Sequence, residues 1–244
     1  VGVNAHFGGR FAVNLGVPLA EESGLGLQVG TAISAMDAAV GVLAVVDGNE
    51  DRLQSFTTVG LFQQNDCGVD WALAWDLLHQ SYYDQVTLHQ LRGRASWQYS
   101  CVDRFGVWGT TSLGQSQSAQ VAGTDVRLSP IDQVALFWNR DWASGVNTEC
   151  WLGVAASHGE IIHVFPNRRP FHTAPLFGAA LHVPLNDRLA IYGQGNFILP
   201  ADSGTVDAYL GVVYRLGCGG RGRSRYAPPL DVAANTSFAV DLQR

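Results

Sequence analysis

The chain has no lysine. All 15 basic residues are arginine, so the ammonium groups that usually solubilise a surface and blunt exposed sheet edges are missing. Charge of either sign is scarce, at 15% of residues against roughly a quarter in an average soluble domain. The net charge of −6 carries no electrostatic footprint for nucleic acid, and no nucleic-acid partner is expected. No apolar run approaches the roughly 18 residues of a transmembrane helix, which leaves a membrane barrel as the only spanning architecture. The sequence begins VGVNAHFGG, without a basic region followed by an apolar one, so any export signal is expected to lie outside it or to have been removed.

Catalytic and cofactor motifs are equally absent. There is no G-x-S-x-G, no Walker motif and no G-x-G-x-x-G, and GLGLQVG has the wrong spacing and falls in a strand. No cofactor and no enzymatic chemistry are expected, and a barrel-embedded lipid hydrolase lacks any residue that stands out as its nucleophile. The four cysteines at 67, 101, 150 and 218 lack paired C-x-x-C spacing, which points to disulfides rather than a zinc or redox site.

What the sequence has is alternation. Apolar residues recur with period two between Gly, Asn and Asp punctuation, while a period of 3.6 is hard to find. The reading is all-β, with about twelve strands near 3–19, 25–36, 39–46, 53–64, 69–79, 86–100, 105–114, 132–143, 149–156, 174–185, 189–199 and 206–217. In the first, Phe7, Phe11, Val13, Leu15, Val17 and Leu19 share one face, and Asn4, His6, Arg10 and Asn14 share the other. Alternate connections are long: AEES, DGNED, SYYDQ, 115–131, 157–173 and PADSGT. Those between them, such as QNDCG, CVDR and LND, are short. With an even strand number, both termini fall at the short-turn end, the arrangement of an up-and-down antiparallel outer-membrane barrel. Residues 1–218 are expected to form this barrel and 219–244 an extended periplasmic tail.

The segment Val69–Tyr99 shows both faces. A turn centred on Asp84 sets Val69 against Tyr99, Trp71 against Trp97 and Leu77 against Leu91 on one face. On the other it sets Asp70 against Gln98, Ala74 against Arg94 and Asp76 against Arg92, with opposite charges directly across. The same register brings Cys67 opposite Cys101, where a cross-hairpin disulfide is expected. It also brings His79 opposite His89. With LND as a tight turn, Phe177 pairs with Phe197, Leu181 with Gly193 and, on the polar face, His182 with Tyr192. Polar rows rich in Gly, Ala, Ser, Asn and Gln make a poor water-facing surface but reasonable filling for a lumen. The aromatics near strand ends suit interfacial girdles.

The segments FTTVGLFQQNDCGVDWALAWDLL, LHQLRGRASW, FGVWGT and PLFGAALHVPLNDRLAIYGQGNFILP resemble a family of uncharacterised, predicted exported β-barrel proteins of planctomycete bacteria. The resemblance covers most of the chain and implies fold and compartment, without an activity to carry over. Tyr209, Gly211, Tyr214 and Leu216 in YLGVVYRL also resemble the final-strand signal of outer-membrane barrels, with Leu rather than an aromatic residue last.

The expected function is therefore an outer-membrane β-barrel, either a structural component of the envelope or a narrow passive pore. Its charge-paired lumen is expected to be lined by Arg10, Asp70, Asp76, Arg92, Arg94, Gln98, His182 and Tyr192. Outer-membrane lipid is the expected partner, with other envelope proteins or a homo-oligomer as further candidates. The alternative is a soluble exported barrel or sandwich that binds a ligand through its long loops. In SHGEIIHVFPNRRPFH, His158, His163 and His172 have spacing that allows a metal but form no defined ligand motif.

Overall fold

Period-two alternation resolves into strands over most of the described residues of the computed structural model. These are residues 8–20, 22–37, 51–65, 68–82, 84–114, 116–121, 124–156, 173–198, 206–214 and 227–243. Among them there are only strands, turns and irregular segments. In chain order the strands are β1 (Gly8–Ala20), β2 (Leu25–Asp37), β3 (Asp51–Gln63), β4 (Val69–Tyr82), β5 (Asp84–Gln98), β6 (Asp103–Ser112), β7 (Gln117–Val121), β8 (Thr124–Pro130), β9 (Asp132–Asp141), β10 (Asn147–Ala156), β11 (Thr173–Pro184), β12 (Leu189–Ile198), β13 (Val206–Tyr214) and β14 (Val240–Gln243).

Eleven of them form one antiparallel up-and-down sheet in the order β1-β2-β3-β4-β5-β6-β9-β10-β11-β12-β13. The strand expected near 39–46 lies outside the described residues, and β2 pairs directly with β3, from Leu25 opposite Gln63 to Asp37 opposite Asp51. The segment 115–131, expected as a loop, instead carries the β7–β8 hairpin, which joins β14 in a separate three-stranded sheet. The sheet curls far enough that the Arg10 guanidinium of β1 lies 5.6 Å from the Tyr209 ring centroid of β13. No hydrogen-bonded pairing joins β1 to β13 among the described residues. Since the strand count is odd and every neighbouring pair antiparallel, these two edges run in the same direction.

Direct pairing of β2 with β3 also re-sorts the connections. One end has 21–24, 64–68, 99–102, 142–146 and 185–188, none longer than five residues. The other has 38–50, 113–131, 157–172 and 199–205, together with the tight reversal between Tyr82 and Asp84. AEES thus belongs with the short turns. The expectation that both termini share the short-turn end is also corrected, because Gly8 starts β1 at the long-connection end and β14 returns there beside β8.

The hairpin of β4 and β5 keeps its faces but not its partners. Tyr82 pairs with Asp84, so every opposition moves by two: Val69 faces Trp97, Trp71 faces Ala95 and Asp76 faces Gln90. An even slip preserves which side each residue takes, whereas an odd one would exchange the sides. His79 accordingly meets Thr87 rather than His89, with Nδ1 2.9 Å from the Thr87 hydroxyl. The displaced register also removes the basis for a Cys67–Cys101 bridge. Cys101 is a free, exposed thiol, as is Cys150, while Cys67 and Cys218 lie outside the described residues. The β11–β12 hairpin has the expected register, with Phe177 opposite Phe197 and His182 opposite Tyr192.

Two kinds of row line the concave side. Ala32, Phe56, Leu78 and Leu88 stand side by side across β2–β5 and form an apolar belt near the long-connection end. Leu128 of β8 and Phe238 pack on this belt, and the Phe56 and Phe238 rings meet edge-on at 6.2 Å. One step toward the short-turn end, Gly30, Thr58, Asp76 and Gln90 form a polar row. The opposite wall has its own apolar cluster of Ile131, Phe137, Trp151, Leu176 and Ile198. Glycine lets large side chains fit: a Cβ on Gly106 would fall 2.4 Å from Phe137 Cζ.

Candidate functional site: an internally occupied lumen and its vestibule

Of the segment 219–244, expected as an extended tail, the described residues 227–243 run along the concave side of the curled sheet. The sequence LDVAANTSFAV has one charged residue, and burying its apolar side chains stabilises it against the concave wall more than water would. Leu230, Val232, Ala233, Ala234, Phe238 and Ala239 are all buried. The segment runs from the short-turn end, where Gln64 donates to the Ala227 carbonyl at 2.8 Å, to the long-connection end, where Val240 pairs with Pro130. Close contact is built in at Gly30, whose Cβ, were there one, would lie 2.5 Å from Val232 Cγ2.

Wall side chains satisfy the irregular backbone of this segment, as a buried main chain requires. Arg10 donates to the Val232 and Ala233 carbonyls, each at 2.9 Å. Asn14 and Gln28 donate to the Leu230 carbonyl at 2.9 and 2.6 Å, and Asn196 donates to that of Thr236 at 2.8 Å. The Ala233 N–H donates to Thr58 Oγ at 3.0 Å. Tyr192 on β12 donates to the Asp231 carboxylate at 2.8 Å. Residues 231–233 are thereby held between β1, one margin of the sheet, and β12, the strand next to the other.

At the centre is a buried ion pair. Asp76 is fully buried and Arg92 nearly so, with Arg92 Nε 2.9 Å from Asp76 Oδ2 and Nη2 donating to Oδ1 at 3.0 Å. Thr58 and Gln90 also donate to the same carboxylate, at 2.7 and 2.9 Å. Arg92 Nη2 reaches the Asp231 carbonyl at 2.7 Å, tying the pair to the internal segment. Multiple charge-assisted bonds of this kind are what offset the cost of taking both ions out of water.

Of the residues expected to line the lumen, Arg10, Asp76, Arg92, Arg94, Asp70 and Tyr192 have partners on this inner side, and His182 borders the opening near the short turns. Gln98 sits opposite Arg104 on the same side. Asp76 and Arg92 form the interior pair expected of them, although they are not directly opposite, and the other partners differ. Arg94 makes a two-pronged contact with Glu149 at 2.8 and 2.6 Å while stacked 3.8 Å over the Phe137 ring, and Asp70 pairs with Arg104 at 3.6 Å. Sequence reading overlooked Gln28, Thr58, Gln90, Glu149, Asn196 and Asp231. The first five occupy inward positions of strands, so parity could have found them. His158, His163 and His172 lie outside the described residues.

Two adjoining cavities lie beside the internal segment. A chamber of about 90 Å³ lies beside the internal segment, and a vestibule of about 760 Å³ adjoins it near the short turns. Both are bordered by Arg94, Glu149, Tyr192, Pro229 and Asp231.

These features define a class, an antiparallel up-and-down sheet curled around a segment of its own chain. More particularly, the chain belongs to a family of unknown function, DUF6666, matched over residues 2–240. Comparison with curated proteins gives no match. Among solved structures it is similar to a chain from work titled "Unveiling the Mechanism Behind the in-meso Crystallization of Membrane Proteins", with a TM-score of 0.58 and 8% identity, over 99% of this chain and 96% of that one. At that identity the likeness concerns the fold alone.

Proposed function

We propose that this protein is an outer-membrane β-barrel serving as a structural component of the envelope, without enzymatic chemistry, whose lumen is occupied by its own C-terminal segment. The observation that carries this reading is the pairing of an apolar exterior with an interior that the chain itself fills, where apolar clusters alternate with hydrogen-bonded polar rows. Outward positions on strand after strand are large, apolar and exposed, among them Phe11, Ile33, Leu73, Leu136, Leu152 and Leu210. Monomers in water rarely expose contiguous apolar patches beyond a few hundred Å², whereas lipid is the natural solvent for such a belt. On β4 the outward row from Val69 to Leu77 rises about 27 Å at about 3.4 Å per residue. At the usual tilt of about 35–45° this spans about 20 Å, close to the apolar band of outer-membrane barrels. Trp97, Tyr99, Phe105, Trp138 and Trp142 gather at the short-turn end and suit an interfacial girdle. Trp138 and Trp142 direct their indole N–H groups to Asp103 and Thr148 at 3.0 Å.

The filled lumen favours a structural role over a passive pore. Reconstituted in a planar bilayer, the full chain is expected to pass no steady current. A stable single-channel step would overturn the closed reading. The solvent of the exterior is tested separately by Leu136→Arg, at a position 71% exposed. Facing the bilayer midplane, this arginine should cost about 2–4 kcal/mol in lipid-reconstituted unfolding. A change within about 0.5 kcal/mol, together with monodispersity in plain buffer, would favour a soluble protein instead.

A further inference from the structure

Hydrogen bonds join every pair of neighbouring strands in the curled sheet, and its margins, β1 and β13, run in the same direction. Exposed edges ordinarily carry charge, proline or bulges. Between Gly8 and Val17, β1 has a single charged residue, Arg10, and β13 a single one, Asp207, with no proline in either. Both charges are on the inner side, Arg10 bonded to the internal segment and Asp207 opposite the buried Asn196. The outer sides are apolar and strongly exposed, with Phe11 at 72% and Leu210 at 78%. In lipid, bare backbone groups along such margins have no water to bond to, so both read as edges made to be paired.

The register of the sheet dictates how they meet. One row of partners runs unbroken from Ala20 at the end of β1, through Trp71 and Leu136, to Val206 at the start of β13. Between the margins, the Arg10 guanidinium lies 5.6 Å from the Tyr209 ring centroid. Arg10 beside Tyr209 sets Val206 level with the position three before Arg10, so the row that leaves β1 at Ala20 returns thirteen positions earlier, one of them the irregularity at Leu19. A shear of about twelve over eleven strands, at about 3.3 Å per residue and about 4.8 Å between strands, gives a tilt of about 37°, within the usual range of closed barrels. An even shear brings inward residues together, as Arg10 and Tyr209 are. At that tilt the radius is about 11 Å, close to the distance of about 10 Å at which two layers pack face to face. A segment along the axis then reaches walls on several sides at once, and residues 230–236 have partners on β1, β2, β3, β5 and β12.

We propose that β1 and β13 pair in parallel, Arg10 beside Tyr209, closing the eleven strands into a barrel whose seam is latched from inside by residues 231–233. On the outer side this sets Phe11 beside Leu210, Val13 beside Val212 and Leu15 beside Tyr214. Parallel pairs are slightly weaker than antiparallel ones, so the seam depends on the latch as no other junction of the wall does. The proposal rests on the barrel reading above but not on the solvent of its exterior. A protein monodisperse in plain buffer that still forms the seam would end the membrane reading alone, and a lipid-inserted protein without the seam would end this one alone.

Disulfide trapping in the full chain, with its four cysteines replaced by serine, tests it. Phe11→Cys with Leu210→Cys, and separately Val13→Cys with Val212→Cys, are oxidised in detergent by copper phenanthroline and air, then digested for mass spectrometry. Val13→Cys with Thr31→Cys, opposite each other on β1 and β2, is the positive control. Both seam pairs should link within the chain about tenfold more than Phe11→Cys with Tyr214→Cys, whose Cα atoms the proposed register holds about 14 Å apart, beyond disulfide reach. Arg10→Leu, which cuts the latch to β1, should slow linking at the seam about threefold or more and leave the β1–β2 control unchanged. A protein that links the control but neither seam pair, as it would if another segment lay between the margins, would overturn the proposal. So would linking of Phe11→Cys to Tyr214→Cys as readily as to Leu210→Cys, and an Arg10→Leu seam that links at the original rate would remove the latch.

Discussion

Deleting residues 227–244 is expected to give the proposed outer-membrane barrel a steady bilayer conductance that the undeleted chain lacks, and to strip it of much of its heat resistance. The deletion exposes the apolar belt of Ala32, Phe56, Leu78 and Leu88, from which Val232 and Phe238 now exclude water. Loss of the buried Leu230, Val232 and Phe238 side chains alone removes on the order of 5–9 kcal/mol, at about 1.5–3 kcal/mol each. That is comparable to the whole stability of an ordinary domain. Water can replace the internal segment as partner for Arg10, Asn14, Gln28 and Asn196, so the polar rows should hydrate and open. Steady bilayer current and a lowered thermal transition in detergent are the readouts, and a synthetic peptide of residues 227–244 should reverse both. A truncated protein that stays silent and melts where the full chain does would show that the lumen is sealed by something else, with the β7–β8 hairpin the first suspect.

The second large effect should come from Asp76. Replacing it with leucine leaves the Arg92 guanidinium buried without its carboxylate and removes the shared acceptor of Thr58 and Gln90. Removing one member of such a pair typically costs about 3–5 kcal/mol. The double variant Asp76→Leu with Arg92→Met should recover much of that loss, since the cost lies in the stranded charge more than in the missing attraction. Urea unfolding of both variants in detergent decides it. A single variant as stable as wild type, or a double variant worse than the single, would mean that the internal segment rather than the pair holds this layer together.

Strand positions and faces were legible in the sequence because a strand's side chains alternate strictly. Phe11 and Arg10, or Leu73 and Asp76, cannot share a side of one regular strand. Cross-strand partners were less legible, because any even slip satisfies the same alternation. Choosing Asp84 rather than the preceding residue as the centre of the β4–β5 turn shifted every partner by two without disturbing either face, and it created a cysteine pairing that the structure lacks. The connection pattern was counted with a strand at 39–46, whereas β2 pairs directly with β3 and leaves no place for one between them. The internal segment was the largest omission. Read by itself, APPLDVAANTSFAVDL has proline, asparagine and little periodicity, the marks of a tail. Its burial depends on the complementary donors Arg10, Asn14, Gln28 and Asn196, spread across three strands, and such long-range matching leaves no local signature. Low charge and frequent Val, Ala and Phe were the only hints.

The course of the internal segment also constrains the order in which the molecule can be built. The residues that fill the concave side and end in β14 follow, along the chain, every strand that curls around them. They must either thread into a sheet that is already curled, entering from the short-turn end, or be wrapped by one whose curl is not yet set. Margins at β1 and β13 that run in the same direction, with residues 231–233 held between β1 and β12, make wrapping the shorter route. On that route the curl of the sheet is set last, when residues 231–233 reach their partners on both sides.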